Sequence, residues 1–134
     1  IFNASRGAVV DNMALVKSSH RYAFDVWEGA PQLNDVVLGR AMLATPHIAG
    51  YSQQGKANAT TMVINALSRH FGLPLTEWHP TDVAPTTPRL IGWEEMCHTI
   101  DDYCPILEET RRLKSSPEKF ESLRNNYTYR EEYF

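Results

Sequence analysis

The stretch Thr45-Pro46-His47-Ile48-Ala49-Gly50-Tyr51 joins a short apolar run to the longest amphipathic segment of the chain. Proline restricts the backbone just before the histidine, and the small residues after it let a ligand or another backbone come close. Histidine titrates near neutral pH, so this side chain can give and take a proton. The alternative is a buried histidine whose nitrogens are satisfied by backbone groups. The setting of His47 makes it the first candidate for catalysis.

The segment after this stretch predicts a helix over residues 53–71. Apolar and aromatic side chains recur there at steps of three and four residues: Ala59, Met62, Val63, Ala66, Leu67, His70 and Phe71. Ser52 is a suitable N-cap, and Gly72 followed by Pro74 is a typical helix end.

Upstream, short strands alternate with short helices. The predicted order is a buried strand ending at Ile1-Phe2, a helix capped by Asp11, a strand over 22–27, a helix over 36–38 capped by Asp35, and a strand over 41–44. This alternation predicts an α/β fold with a parallel, doubly wound sheet. Because the chain begins inside a predicted strand, we expect it to be a fragment whose missing part lies upstream.

A second unusual segment is Asn3-Ala4-Ser5-Arg6-Gly7-Ala8-Val9-Val10-Asp11, which places Arg6 on a tight turn after the first strand. Open α/β sheets bind ligands at the carboxyl ends of their strands. The planar guanidinium suits a carboxylate held by two hydrogen bonds. A surface arginine paired with an acid is the alternative.

Asp25 lies inside the apolar strand Ala23-Phe24-Asp25-Val26-Trp27. A buried carboxylate is costly unless it is partnered. It is therefore either a hydrogen-bonded structural acid or an acceptor for a ligand amide, such as a nicotinamide carboxamide. Tyr51 could belong to the core or reach a ligand.

Composition excludes several classes of function. The chain has 134 residues and a formal net charge of −3, with six basic and four acidic residues in 1–72 and seven and twelve in 73–134. No basic stripe predicts nucleic-acid binding, and no apolar run predicts a membrane span. Two cysteines at a Cys-x6-Cys spacing match no common metal pattern, so we expect reduced thiols, no metal and a cytoplasmic location. The sequence also contains no Gly-x-Gly-x-x-Gly loop.

Three motifs in order resemble the NAD-dependent D-2-hydroxyacid dehydrogenases: Asn-x-x-Arg-Gly-x-x-Val-Asp from residue 3, Asp-Val-Trp-Glu from residue 25, and Thr-Pro-His-Ile-Ala-Gly from residue 45. Gly55-Lys56-Ala57 and the tail over 120–132 resemble a branch of that family that acts on a small phosphorylated 2-hydroxy acid. The resemblance implies the C-terminal remnant of a Rossmann-type NAD-binding domain over 1–72, a linker over 73–92 and a small α+β dimerisation region over 93–134. It implies a homodimer with NAD as cofactor.

The same resemblance implies a role for each candidate residue. Arg6 would bind the substrate carboxylate and polarise the 2-oxygen, while His47 would take the hydroxyl proton. Asp25 would hold the nicotinamide carboxamide, and Tyr51 would touch the substrate. The residues implied to line the cofactor are Ala4, Ser5, Arg6 and Gly50.

Two departures from the family pattern keep rival functions open. Ala30 stands where the family has the glutamate that pairs with its histidine, and Glu28 lies two residues away. The stretch between Leu15 and Ala23 is also a few residues short. A non-catalytic dimerisation or scaffold remnant is therefore one alternative. A related D-2-hydroxyacid dehydrogenase with another substrate is a second.

Overall fold

A computed structural model describes residues 1–85 and 89–132 of the chain. These residues form an α/β arrangement with one small sheet and several helices. The strands are β1 Phe2–Asn3, β2 Ala23–Phe24 and β3 Leu43–Ala44; the α-helices are α1 Asn12–Lys17, α2 Asp35–Arg40, α3 Gln53–Phe71, α4 Trp93–Tyr103, α5 Ile106–Ser115 and α6 Phe120–Asn125, with 3-10 turns at Gly7–Val9 and Pro117–Lys119. The described chain divides into two compact units, 1–49 with 105–127, and 50–85 and 89–104 with 128–132.

The sheet of the first unit is parallel, in the order β1-β2-β3. Phe2 pairs with Ala23 and Asn3 with Phe24, while Phe24 also pairs with Ala44. The parallel pairing confirms the α/β prediction, although each strand is shorter than the apolar run that indicated it. The doubly wound arrangement of the sheet stays a prediction.

Buried apolar side chains from the strands, the helices and the segments between them build the core of the first unit. The buried cluster consists of Leu15, Tyr22, Phe24, Trp27, Val37, Leu38, Ala41, Ala44, Leu113 and Phe120. Helix α5 joins the core through Thr110, whose hydroxyl oxygen accepts the Ala44 N–H at 3.0 Å. A segment far along the sequence therefore completes the packing around β3. The boundary at residue 93 between the cofactor domain and a dimerisation region stays a prediction.

Helix starts follow the capping chemistry of the sequence. The Asp11 carboxylate accepts the N–H groups of Met13 and Ala14, which confirms it as the N-cap of α1. For α2 the predicted cap is wrong: Asn34, not Asp35, accepts the N–H groups of Val36 and Val37. Asp35 is the first helical residue, where its charge still complements the helix dipole.

The burial of β1 was predicted incorrectly. Phe2 is 88% exposed and Ile1 49%, whereas Asn3 is buried. Since β1 is an edge strand of the described sheet, only its β2 side is covered.

In the second unit, α3 spans the predicted residues, but its buried face is not the apolar one. Ser52 caps the helix by accepting the Gly55 N–H, and Gly72 ends it with φ +64°. Every residue of the predicted apolar stripe is exposed, including Met62 at 71%. The covered face carries Ser68 and Asn65, because their side chains hydrogen-bond to the backbone of residues 73–78.

The second half of the chain contains α4, α5 and α6. α4 ends at Tyr103, with Cys104 as its C-cap. Its first residue, Trp93, is 76% exposed, and α4 buries none of its residues fully. Neither Cys97 nor Cys104 is in a disulfide; the first is exposed and the second half-buried. In α6, Phe120 is buried, whereas Tyr127 lies beyond the end of the helix.

Candidate active site

Three sequence-predicted residues follow three neighbouring strands. Arg6 comes shortly after β1, Asp25 directly after β2, and His47 shortly after β3. Carboxyl ends of parallel strands lie at one edge of a sheet, the edge where open α/β folds bind ligands. The backbone N–H of His47 donates to the carbonyl oxygen of Asp25 at 2.8 Å. The structure therefore brings the His47 segment directly against the end of β2.

The Arg6 turn is organised by Asn3, a residue that sequence reasoning did not assign to the site. The Asn3 Oδ1 accepts the N–H of Ser5 at 3.2 Å and its hydroxyl at 2.9 Å, and Nδ2 donates to the Arg6 carbonyl at 3.0 Å. This asparagine is buried, and its side-chain amide forms the hydrogen bonds that water would otherwise make with the polar groups of the turn. The Asn-x-Ser spacing is an Asx-turn signal that could have found it.

Arg6 itself presents its guanidinium to solvent. Its Nη1 donates to the Ser5 carbonyl at 2.7 Å, and the side chain is exposed. Ala4 and Ser5 are exposed too. A surface arginine paired with an acid was the alternative, but no ion pair among the described residues involves Arg6.

Close packing at position 7 explains why Arg6 is followed by a glycine. A Cβ at this position would lie 2.1 Å from the Trp27 carbonyl oxygen and 2.7 Å from the Glu28 nitrogen. No side chain fits in that gap, because real contacts of this kind are more than 3 Å. The turn after β1 is thus packed directly on the backbone that follows β2.

Asp25 is buried, and its carboxylate holds the segment that carries His47. Oδ1 accepts the Thr45 hydroxyl at 2.7 Å and the Ile48 N–H at 2.8 Å, while Oδ2 accepts the Ala49 N–H at 3.0 Å. Three hydrogen bonds to a carboxylate offset much of the cost of burying its charge. This geometry gives Asp25 the structural role that was one of its two predicted roles; the carboxamide role stays a prediction.

His47 adopts an uncommon backbone conformation. Its φ is +60°, in the left-handed region that non-glycine residues visit rarely. Pro46 before it and Ile48 after it are buried, and hydrogen bonds to Asp25 fix both flanks. The side chain is half-buried. A conformation of this kind persists only where the surroundings hold it, and such residues cluster at functional sites.

The carboxylate nearest in sequence to the missing glutamate is engaged elsewhere. The Glu28 Oε2 accepts the N–H of Asn12 at 2.8 Å, at the start of α1. Ala30 is exposed. Among the described residues, no carboxylate side chain forms a hydrogen bond with the His47 ring.

Gly50 and Tyr51 belong to the second compact unit. The Tyr51 ring meets the Tyr129 ring edge to face, with 5.3 Å between centroids, and the Lys56 Nζ lies 4.6 Å from the Tyr51 ring centroid. The C-terminal segment thus contacts Tyr51, which sequence reasoning did not foresee. Gly50 is exposed.

Neither a cluster of metal-ligating side chains nor a membrane-spanning helix occurs in the described part of the chain. No group of three or more His, Cys, Asp or Glu residues there is arranged to hold a metal ion. Within residues 1–85 and 89–132, none of the helices combines the length and the apolarity needed to cross a bilayer.

The strand-end site, with an arginine and a histidine on neighbouring loops, is of the kind found in α/β enzymes that act on small ligands. No protein-family model matches the chain. It is similar to curated proteins named erythronate-4-phosphate dehydrogenase: 39% identical over 137 positions to that of Bacteroides thetaiotaomicron, 37% over 153 to one from Escherichia coli, and 36% over 147 to that of Edwardsiella ictaluri.

These matches cover 98–99% of this chain but 39% of each relative. The chain is therefore a homologue, along nearly its whole length, of part of proteins that carry this name. The match confirms the resemblance that the three motifs indicated and is consistent with a C-terminal portion.

Proposed function

We propose that this chain supplies the C-terminal part of an NAD-dependent oxidoreductase that oxidises 4-phospho-D-erythronate to its 2-oxo acid in the biosynthesis of pyridoxal 5'-phosphate. The observation that carries the proposal is the placement of Arg6, Asp25 and His47 after three adjacent parallel strands. The named relatives support the reaction class.

Each residue has a role that its chemistry allows. The exposed guanidinium of Arg6 binds the substrate carboxylate through two hydrogen bonds and polarises the 2-oxygen. The His47 imidazole accepts the hydroxyl proton as the C2–H bond breaks. Tyr51 contacts the substrate. The hydride leaves C2 and the proton leaves the hydroxyl oxygen, so the carbon–oxygen bond becomes a carbonyl and the product is the 2-oxo acid.

The chain fits part of an NAD site. NAD, when bound, accepts the hydride. Ala4 and Gly50 are small and exposed, so a ring can approach the backbone, and Ser5 and Arg6 line the same turn. Asp25 Oδ2 accepts the Ala49 N–H and retains capacity for a carboxamide N–H. Since the chain has no Gly-rich phosphate loop, we expect no useful turnover from this chain alone.

The proposal extends to assembly and organisation. Residues 1–72 form part of the cofactor domain, 73–92 a linker and 93–134 a dimerisation region of a cytoplasmic homodimer. Large apolar side chains exposed on α3 and α4, such as Met62 and Trp93, support burial against another surface. Sedimentation velocity on the chain tests the dimer, with a monomer at micromolar concentration as the contrary outcome.

The experiment that tests the activity is a hybrid enzyme, in which this chain replaces its matched segment of the Bacteroides thetaiotaomicron relative. We expect NADH production from NAD and 4-phosphoerythronate. Loss of that activity in Arg6→Lys and in His47→Asn would follow, since lysine lacks the planar fork and asparagine cannot move the proton. Oxidation of other 2-hydroxy acids but not of this one would indicate a related dehydrogenase with another substrate.

The non-catalytic alternative is favoured by one observation, the exposed Ala30 together with the engagement of Glu28 at α1. Comparing Ala30→Glu with its uncharged match Ala30→Gln in the hybrid separates the two functions. A carboxylate beside histidine stabilises the imidazolium and fixes its tautomer, so Ala30→Glu alone should raise turnover, by about tenfold or more. A folded dimeric hybrid without turnover in all three forms would establish the scaffold function instead.

A further inference from the structure

We propose that the C-terminal segment Tyr129–Glu132 is a positioning element that fixes Tyr51 for substrate contact. This inference rests on the proposed function, because it takes Tyr51 to face the substrate. It adds residues to the site that neither the motifs nor the relatives' names assign.

The segment first holds the backbone on both sides of Ser52. Ser52 and Arg130 form a parallel β-bridge, in which the Gln53 N–H donates to the Arg130 carbonyl at 2.9 Å. The Arg130 N–H and its Nη1 each donate to the Tyr51 carbonyl at 3.3 Å. The backbone just after Tyr51 is therefore bonded to Arg130 both at the Tyr51 carbonyl and at the Gln53 N–H.

A second tie joins the tail to the start of α3. The Ser52 hydroxyl donates to the Glu132 carboxylate and accepts the Gly55 N–H at 3.0 Å, and Ser52 is 1% exposed. The Glu132 N–H in turn donates to the Gln54 Oε1 at 2.9 Å. A carboxylate at the N-terminus of a 19-residue helix is also stabilised by the helix dipole.

The third tie acts on the Tyr51 ring. Tyr129 meets it edge to face, at 5.3 Å and an interplanar angle of 69°. The Lys56 ammonium lies 4.6 Å from the Tyr51 centroid and 5.8 Å from that of Tyr129. Since both rings share one cation and one contact, moving Tyr129 removes a constraint on the orientation of Tyr51.

Gly55 shows that this arrangement depends on close packing. A Cβ there would lie 2.5 Å from the Ser52 Oγ and 3.5 Å from the Glu132 Oε1. Any larger residue would displace the hydroxyl that links the tail to the helix. Gly55 therefore permits the tail's second tie.

The test measures the tail's hold on the backbone and its effect on substrate separately. In the chain itself, truncation after Thr128 should speed hydrogen exchange of the Gln53 amide by about tenfold or more, while truncation after Glu132 should not. In the hybrid, Tyr129→Ala should raise the KM for 4-phosphoerythronate by about twofold to tenfold, the range of one aromatic pair, and leave the KM for NAD unchanged. Tyr129→Phe keeps the ring and should restore the parental KM.

A double variant of Tyr51 and Tyr129 tests whether Tyr129 acts on the substrate through Tyr51. In a Tyr51→Ala background, Tyr129→Ala should have no further effect on the KM, because its effect passes through Tyr51. An equal rise in that background, a rise in the KM for NAD instead, or no change at all would overturn the positioning role while the proposed function stands. A hybrid that binds NAD but oxidises no 2-hydroxy acid would overturn the proposed function, and this inference with it.

Discussion

Asp25 and His47 are joined twice, once by backbone and once through the two residues that follow His47. The His47 N–H donates to the Asp25 carbonyl at 2.8 Å, and the Asp25 carboxylate accepts the N–H groups of Ile48 and Ala49. The charged carboxylate of Asp25 therefore fixes the main chain next to His47, the candidate proton acceptor. An acid at this position is needed to shape the loop, whatever it also does toward a ligand.

Replacement of Asp25 by asparagine should destabilise the chain by about 1–3 kcal/mol. One of the two carboxylate oxygens becomes an NH₂ donor, and that donor then faces either the Ala49 N–H or the Thr45 and Ile48 donors. Urea unfolding monitored by circular dichroism measures the change. Asp35→Asn, at an exposed helical position, is the matched control and should shift the free energy of unfolding by less than about 0.5 kcal/mol.

Gly7→Ala should be among the most damaging single-methyl additions in the first unit. The added carbon would sit 2.1 Å from the Trp27 carbonyl, so the turn that carries Arg6 must move away from the strand end. We expect a loss of about 1–3 kcal/mol or more in the free energy of unfolding. Gly39→Ala is the matched control: nothing lies within 4 Å of its added carbon, and alanine in helix α2 should stabilise by about 0.5–1 kcal/mol. Equal effects at the two glycines would contradict the packing described for Gly7.

Sequence chemistry predicted the local features well and the long-range ones poorly. Asp11 and Ser52 act as caps because capping depends on residues within one turn, and α3 has its predicted bounds. By contrast, the hydrogen bond between Ala44 and Thr110 joins residues 66 positions apart, and no periodic pattern in the sequence predicts it. The buried side of α3 was predicted wrongly for a related reason: Asn65 and Ser68 are covered through hydrogen bonds to a later segment, not through apolar burial.

The candidate site divides in the same way. Arg6, Asp25 and His47 were predicted from strand ends and motifs, and the parallel register puts them at one edge of the sheet. Asn3 and the tail at Tyr129 were missed, since their importance lies in hydrogen bonds and ring contacts that only the folded chain creates.

His47→Asn should separate the backbone role of this position from its chemistry. Asparagine tolerates the left-handed conformation at φ +60°, so the free energy of unfolding should change by less than about 1 kcal/mol. His47→Val should lose about 1–3 kcal/mol, because a branched Cβ is strained there. In the hybrid, His47→Asn should lower kcat by about 10²–10⁴-fold. Full turnover in the asparagine variant would remove His47 from proton transfer.

Because Tyr22 is buried, the free energy of unfolding should depend on pH in the alkaline range. The Tyr22 hydroxyl donates to the Val37 carbonyl at 2.6 Å inside the core, and burial raises the pKa of the phenol above its ordinary 10.0, an effect that the nearby Arg40 charge partly opposes. A buried acid with a raised pKa keeps its proton in the folded state while the unfolded chain releases it, so the folded state is disfavoured only above the unfolded pKa. The contribution of Tyr22 to the free energy of unfolding should be complete below pH 10 and should diminish as the pH rises from there to the folded pKa.

Urea unfolding at pH 8, 10 and 11 measures this contribution. Tyr22→Phe should be less stable at pH 8 by about 0.5–1.5 kcal/mol yet lose less stability between pH 10 and 11, whereas Tyr103→Phe, at an exposed position, should keep the parental pH dependence.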